Sequence, residues 1–207
     1  MKRHQHTKES AVARKPRYEI QAARWLKTYE GKGPVDIGRI IDLDRSGEPV
    51  AYIVYESHSL SQSPYRIYGK YLNTNIGEIF AIMVDDNYKR LFCEKPERFK
   101  AIALHELGHH VCGHYNEEFL KQHFHEKLSQ KEMTERLRRE RALCAEQGSV
   151  MTTELEADAF ACREVGKHAM NMMFDLLIEE RRKRADKGAE LAIKEFKLRK
   201  KAIRNLR

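Results

Sequence analysis

The chain has 207 residues, 41% hydrophobic and 34% charged, with a mean hydropathy of −0.71, a balance that supports one core of ordinary size with solvated helical appendages. No apolar run approaches the ~20 residues that span a bilayer, and the basic start from Met1 has no apolar stretch behind it, so a soluble, cytoplasmic, non-exported protein is expected. The net charge of +8 sits at the ends: residues 1–17 carry six Lys/Arg against one Glu and residues 181–207 twelve against three acids, leaving 21 against 27 between them.

Residues 1–16 are polar and basic and read as a disordered tail. Tyr18, Ala22, Trp25, Leu26 and Tyr29 recur at a helical period, which predicts a helix over 18–29, broken by Gly31-Lys32-Gly33-Pro34. A second short helix is expected over Val35–Leu43, with Pro34 at its start. Val50–Glu56, Tyr65–Leu72 and Gly77–Val84 are rich in β-branched and aromatic residues, and their polar connections predict a three-stranded antiparallel meander. Asp85-Asp86-Asn87 reads as a turn. Pro96-Glu97 then opens a mostly apolar helix that stops near Gly113.

Residues 117–147 form a highly charged, weakly amphipathic helical stretch, and a helix over 151–165 follows, ending near Gly166. The last helical run starts at Lys167 and becomes basic beyond Glu180, where it is expected to project from the body or fray. The domain scheme is therefore a tail (1–16), a body (17–180) with a charged insertion at about 114–150, and a basic helical extension (181–207). Such charge runs are more often solvated faces than nucleic-acid contacts. Cys93, Cys112, Cys144 and Cys162 form no Cys-x-x-Cys and read as reduced, buried thiols; Cys112 shares a helix face with His105 and His109.

The helix after Pro96 contains His105-Glu106-Leu107-Gly108-His109. Residues four apart share a helix face, so both imidazoles can reach one metal ion, while Glu106, turned by about 100°, can reach a water beside it. Two His and a Glu on an apolar helix are costly to bury without partners, which favours a site. A catalytic zinc takes three protein ligands and an open position. A third His in the metzincin spacing would need Gly at 112 and His at 115, where the chain has Cys112 and Tyr115.

A later helix offers Glu154-Leu155-Glu156-Ala157-Asp158 instead. If Glu154 is the third ligand, Asp158, one turn on, can accept the free N–H of a ligating His. Glu156 points about 200° from Glu154 and would be a ligand only in another register. Ala157, Ala159 and Ala161 allow a close helix approach. His110, His114, His123 and His125 are expected at the surface or in local hydrogen bonds. Tyr65, Tyr68, Tyr71 and Tyr115 are all available as oxyanion donors.

Pro34-Val35-Asp36-Ile37, the block from Pro96 to His109 and the block Glu154–Ala161 together resemble the ImmA/IrrE metallopeptidase family over roughly residues 34–165. The resemblance implies an α+β zincin-like fold: a small three-stranded antiparallel sheet on active-site helices, here with a long basic C-terminal helix. It also implies one Zn2+ on His105, His109 and Glu154, with Glu106 as general base. The implied substrate is a protein, a helix-turn-helix repressor of a mobile element or stress regulon. The segment 114–150 and the basic C-terminal run depart from the family pattern. Competing expectations are a non-catalytic metal-containing regulator or binding module on the same fold, and a soluble HtpX-like peptidase.

Overall fold

The computed structural model describes residues 17–22, 35–45, 47–56, 67–74, 77–115, 130–183 and 187–206. The 1–16 tail, most of the helix expected over 18–29, Tyr65, and His123 and His125 lie outside them.

The first two elements are strands rather than helices: β1 (Tyr18–Ala22) and β2 (Val35–Asp42). The physical reason is visible in their pairing. β2 is rich in β-branched residues, which suit a pleated surface, but its register against the next strand shifts between Asp36 and Gly38 and again between Ile40 and Ile41. Each irregularity interrupts the two-residue alternation. The buried residues Ile37, Ile40 and Ile41 thus acquire a spacing that imitates a helix face.

Strands β3 (Pro49–Tyr55), β4 (Ile67–Thr74) and β5 (Gly77–Val84) complete the sheet. The expected three-stranded antiparallel meander is a five-stranded mixed sheet of order β1-β2-β3-β5-β4, because β5 pairs parallel with β3 and antiparallel with β4. Hydrogen-bonding strands flank β5 on both sides, and its run from Phe80 to Val84 is buried throughout, as a central strand requires. β4 takes the outer position. The bidentate contact of Arg17 Nε and Nη2 with Asp42 (3.1 and 2.7 Å) ties β1 to the end of β2.

Five helices follow among the described residues. α1 (Asp86–Glu94) occupies the stretch read as a turn; the Asp85 carboxylate accepts from the backbone N–H of Asn87 and Tyr88, an N-cap that converts the turn into a helix start. α2 (Pro96–Val111) begins at its proline and passes into a turn at Gly113 (φ 78°). α3 (Gln130–Glu146) comes from the charged stretch. α4 (Thr152–Arg182) is broken at Gly166, whose φ of 80° and ψ of 161° suit a residue without a Cβ. α5 (Lys187–Arg204) packs back against α4.

The core joins one face of the sheet (Ile40, Ile53, Ile82) to α2 (Phe99, Leu104, Leu107) and α4 (Met170, Met173, Phe174). Phe196 and Ile203 of α5 belong to that same core. The C-terminal run therefore neither projects nor frays, since burying side chains of this kind contributes about 1.5–3 kcal/mol each. No helix among the described residues is long and apolar enough to cross a membrane. All four cysteines are free; Cys162 is buried, whereas Cys93 and Cys112 are exposed at helix ends, contrary to the expectation of buried thiols.

Candidate metal centre

The centre forms where α2 and α4 come closest. A Cβ on Gly108 would lie 2.9 Å from the Ala157 carbonyl oxygen and 3.0 Å from its Cα. Only a glycine opposite a small residue lets the two backbones approach this far. That contact brings His105 and His109, one turn apart on α2, against Glu154 in the first turn of α4.

Each of the three residues presents one ligand atom, and these atoms lie within 4.8 Å of one another. His105 Nε2 and His109 Nε2 are 3.2 Å apart, and His105 Nε2 is 3.4 Å from Glu154 Oε2. His109 Nε2 is 3.8 Å from Glu154 Oε1. A tetrahedral ion with bonds of 2.0–2.1 Å has ligand–ligand edges of about 3.3 Å, so the donor spacing suits such an ion. Glu154 Oε2 receives no directed hydrogen bond, although Arg199 Nη1 lies 2.7 Å away as an ion-pair contact. The set His105, His109 and Glu154 can hold one metal ion.

Both histidines are anchored from behind. Asp158 Oδ1 lies 2.9 Å from His105 Nδ1, which leaves Nε2 facing the centre. His109 Nδ1 is 2.9 Å from His114 Nδ1, and His114 Nε2 is 2.8 Å from Glu156 Oε2. His114, expected at the surface or in local hydrogen bonds, is buried and takes the second course: the positive φ at Gly113 turns the chain back so that its ring stands against His109. Glu156 is not among the grouped ligands; it points away from Glu154 and half into solvent, where it meets His114.

Two arginines from other helices close the centre. Arg199 of α5, 3% exposed, donates from Nε and Nη2 to Asp158 Oδ2 and Oδ1 at 2.8 and 2.6 Å. Arg141 of α3 places Nη1 3.3 Å from Glu154 Oε1 and donates from Nε and Nη2 to Glu195 Oε1 at 3.2 and 2.9 Å. Three carboxylates (Glu154, Asp158 and Glu195) thus face two guanidiniums, an excess of negative charge before Glu106 is counted.

The ionisation directions follow from that layout. Burial opposes charge on Glu154, but Arg141 and Arg199 outweigh it and hold the carboxyl well below its usual range. Burial and Arg199 oppose a proton on His105, yet the bonds to Asp158 and Glu154 prevail and raise its pKa to about 9. Burial and the neighbouring His105 push His109 down to about 3. The centre therefore favours one positive charge between the imidazoles and the carboxylates, which a proton on His105 or a bound metal ion would supply.

Glu106 lies on the same helix, one residue beyond His105. Burial, and then the field of Glu154, raise its pKa above the ordinary carboxylate value. The Tyr115 hydroxyl is 3.4 Å from Glu106 Oε2, and its own pKa is raised first by burial and then by Glu106. Two other candidate tyrosines among the described residues are committed elsewhere: the Tyr71 hydroxyl lies 2.9 Å from His110 Nδ1 and the Tyr68 hydroxyl donates to Glu56. His110 stacks on Phe80 with ring centroids 4.4 Å apart.

Arg199 and Arg141 have no place in the sequence reading, and His114 enters it only as a surface or locally hydrogen-bonded residue. A signal existed for the first: Ala192, Phe196, Arg199 and Ile203 share one stripe of α5, so Arg199 stands where an apolar residue belongs. Comparison with protein-family models, with curated proteins and with solved structures gives no match.

Proposed function

We propose that this protein is a zinc-dependent metalloendopeptidase of the ImmA/IrrE type, with a zincin-like body, acting in the cytoplasm on a protein substrate, a helix-turn-helix transcriptional repressor. The observation that carries the reading is the convergence of His105, His109 and Glu154 beside Glu106. The substrate class rests on the sequence resemblance alone.

When bound, a zinc ion on these three residues supplies Lewis acidity, lowering the pKa of a water and polarising a carbonyl. The residues around it divide the remaining work. Glu106, whose pKa burial raises above the ordinary carboxylate value, accepts a proton from the attacking water and returns it to the leaving amine. Tyr115, whose hydroxyl stays protonated and stands beside Glu106, donates to the oxygen on which negative charge develops. Asp158 keeps the Nδ1 proton of His105 in place and so leaves Nε2 free.

β5 is paired on both edges and cannot hold an extended substrate by edge pairing. β4 is the outer strand, and it runs beside the centre, with Gly69 against the Tyr115 hydroxyl. An extended peptide adding to that edge passes the zinc ligands.

The test is capture by the Glu106→Gln variant, with mass spectrometry of the protein it retains and of the fragments that wild type makes from it. A captured protein that wild type leaves intact, in the presence of stoichiometric zinc, would overturn the assignment.

A further inference from the structure

The two ligand histidines are supported differently. His105 is backed by a carboxylate directly, whereas behind His109 stands a second imidazole, and only behind that a carboxylate. We propose that His114 and Glu156 form a hydrogen-bonded relay that fixes the tautomer of His109, and that His114 is a positioning residue of the metal centre. This inference rests on the metal-centre reading above.

The argument is one of donors and acceptors. Glu156 Oε2 lies 2.8 Å from His114 Nε2, and a carboxylate can only accept. His114 Nε2 must therefore carry the proton. In a neutral imidazole the other nitrogen is then an acceptor, so His114 Nδ1 must receive the proton of His109 Nδ1 across their 2.9 Å separation. With its proton on Nδ1, His109 has a lone pair on Nε2, the nitrogen that faces His105 Nε2 and Glu154. The opposite arrangement sets an Nε2 lone pair of His114 against the Glu156 carboxylate and aims an N–H of His109 into the centre, where a ligand atom is required. For a neutral His114, one proton arrangement satisfies these two contacts, and it is the one that leaves His109 a lone pair for metal.

Burial makes the relay directional. The His114 side chain is 4% exposed and that of His109 12%, so water does not readily replace the missing partner. Glu156 is half exposed, and water can substitute in part for its carboxylate. The expected order of importance is therefore His114 before Glu156.

Glu154, Glu156 and Asp158, spaced two apart at the start of α4, thereby take three separate tasks: ligand, end of the relay, and direct support of His105. Helical rotation excludes Glu156 as a co-ligand of Glu154, and the relay spans the distance that rotation leaves.

The experiment measures Zn2+ affinity of the full chain by competition with a chromogenic chelator, together with long-range 1H–15N NMR of the histidine rings in the zinc-loaded protein. The expected NMR result is His114 protonated on Nε2 and accepting on Nδ1. His114→Phe should weaken zinc binding by about 10–100-fold, the usual effect of losing such an outer partner. His114→Asn, whose Oδ1 takes the place of Nδ1 as acceptor, should remain within about threefold of wild type. Glu156→Gln, which keeps an acceptor, should bind more tightly than Glu156→Ala.

A His114→Phe variant that binds zinc as tightly as wild type overturns the relay. So does wild-type protein whose His114 is protonated on Nδ1 or on both nitrogens, a result that decides the matter even if His114→Phe fails to fold. Wild type that binds no zinc overturns the metal-centre reading itself, which separates the two failures.

Discussion

Arg199 closes a bidentate ion pair on Asp158, with Nε to Oδ2 at 2.8 Å and Nη2 to Oδ1 at 2.6 Å, across 41 residues of sequence. Its remaining nitrogen faces Glu154 at 2.7 Å. One side chain of the last helix thus bears on the support of His105 and on Glu154 together. Arg199→Met leaves two buried carboxylates short of a partner, an error that typically costs about 3–5 kcal/mol. Urea unfolding of the metal-free protein should show a loss of that size at unchanged m-value. A loss below about 1 kcal/mol would show the pair to be idle. Lysine, a point charge without the planar fork, should recover only part of the stability.

Glu106→Gln keeps the shape of the side chain and removes its ability to take a proton. Substrate hydrolysis should fall by at least about 100-fold, the scale of general-base catalysis, while zinc stoichiometry measured by elemental analysis stays at that of wild type. Undiminished cleavage contradicts the assigned role.

Tyr115→Phe removes the hydroxyl beside Glu106. If that hydroxyl stabilises the oxyanion, kcat should drop by about 100–1000-fold with little change in KM, read by steady-state kinetics on the captured substrate. A change confined to KM would place the tyrosine in substrate binding instead.

The ionisation of His105 predicts a pH dependence of metal binding. Its pKa is raised to about 9, so below that pH a metal ion must displace a proton before Nε2 can coordinate. The sign follows directly: zinc affinity should rise with pH, about tenfold per unit across the neutral range for one proton released, and level off as pH passes the raised pKa. A titration by chelator competition at several pH values checks both the slope and the plateau.

Gly108→Val tests the approach of the two helices. The added branched side chain meets the Ala157 backbone, which cannot move aside as a flexible side chain would. We expect a destabilisation of about 1–3 kcal/mol together with weaker zinc binding, because the same contact sets the distance between His109 and Glu154. Calorimetry with and without zinc separates the two effects.

Much of the centre was legible in the sequence because helical geometry is local. The i, i+4 spacing of His105 and His109 places both rings on one face whatever surrounds them, and the apolar character of α2 announces burial. Glu154 and Asp158 were legible for the same reason, being one turn apart in a helix of small residues. Strand β2 was misread because irregular pairing with β3 gave its buried residues a helix-like spacing, and such irregularities depend on the partner strand. The parallel β3–β5 pairing was likewise invisible, since pairing direction is decided between segments and not within them.

What the sequence determined by itself is the local part: which residue types can bind metal, on which helix face, and at which spacing. The tertiary structure alone decided what stands behind them. Arg199 reaches Asp158 only because α5 folds back on α4, and His114 reaches His109 only because the chain reverses at Gly113. The physical reason is that hydrogen bonds and ion pairs between distant segments have no sequence period. They exist where packing places a donor within about 3 Å of an acceptor, and nothing shorter than the whole fold specifies that distance.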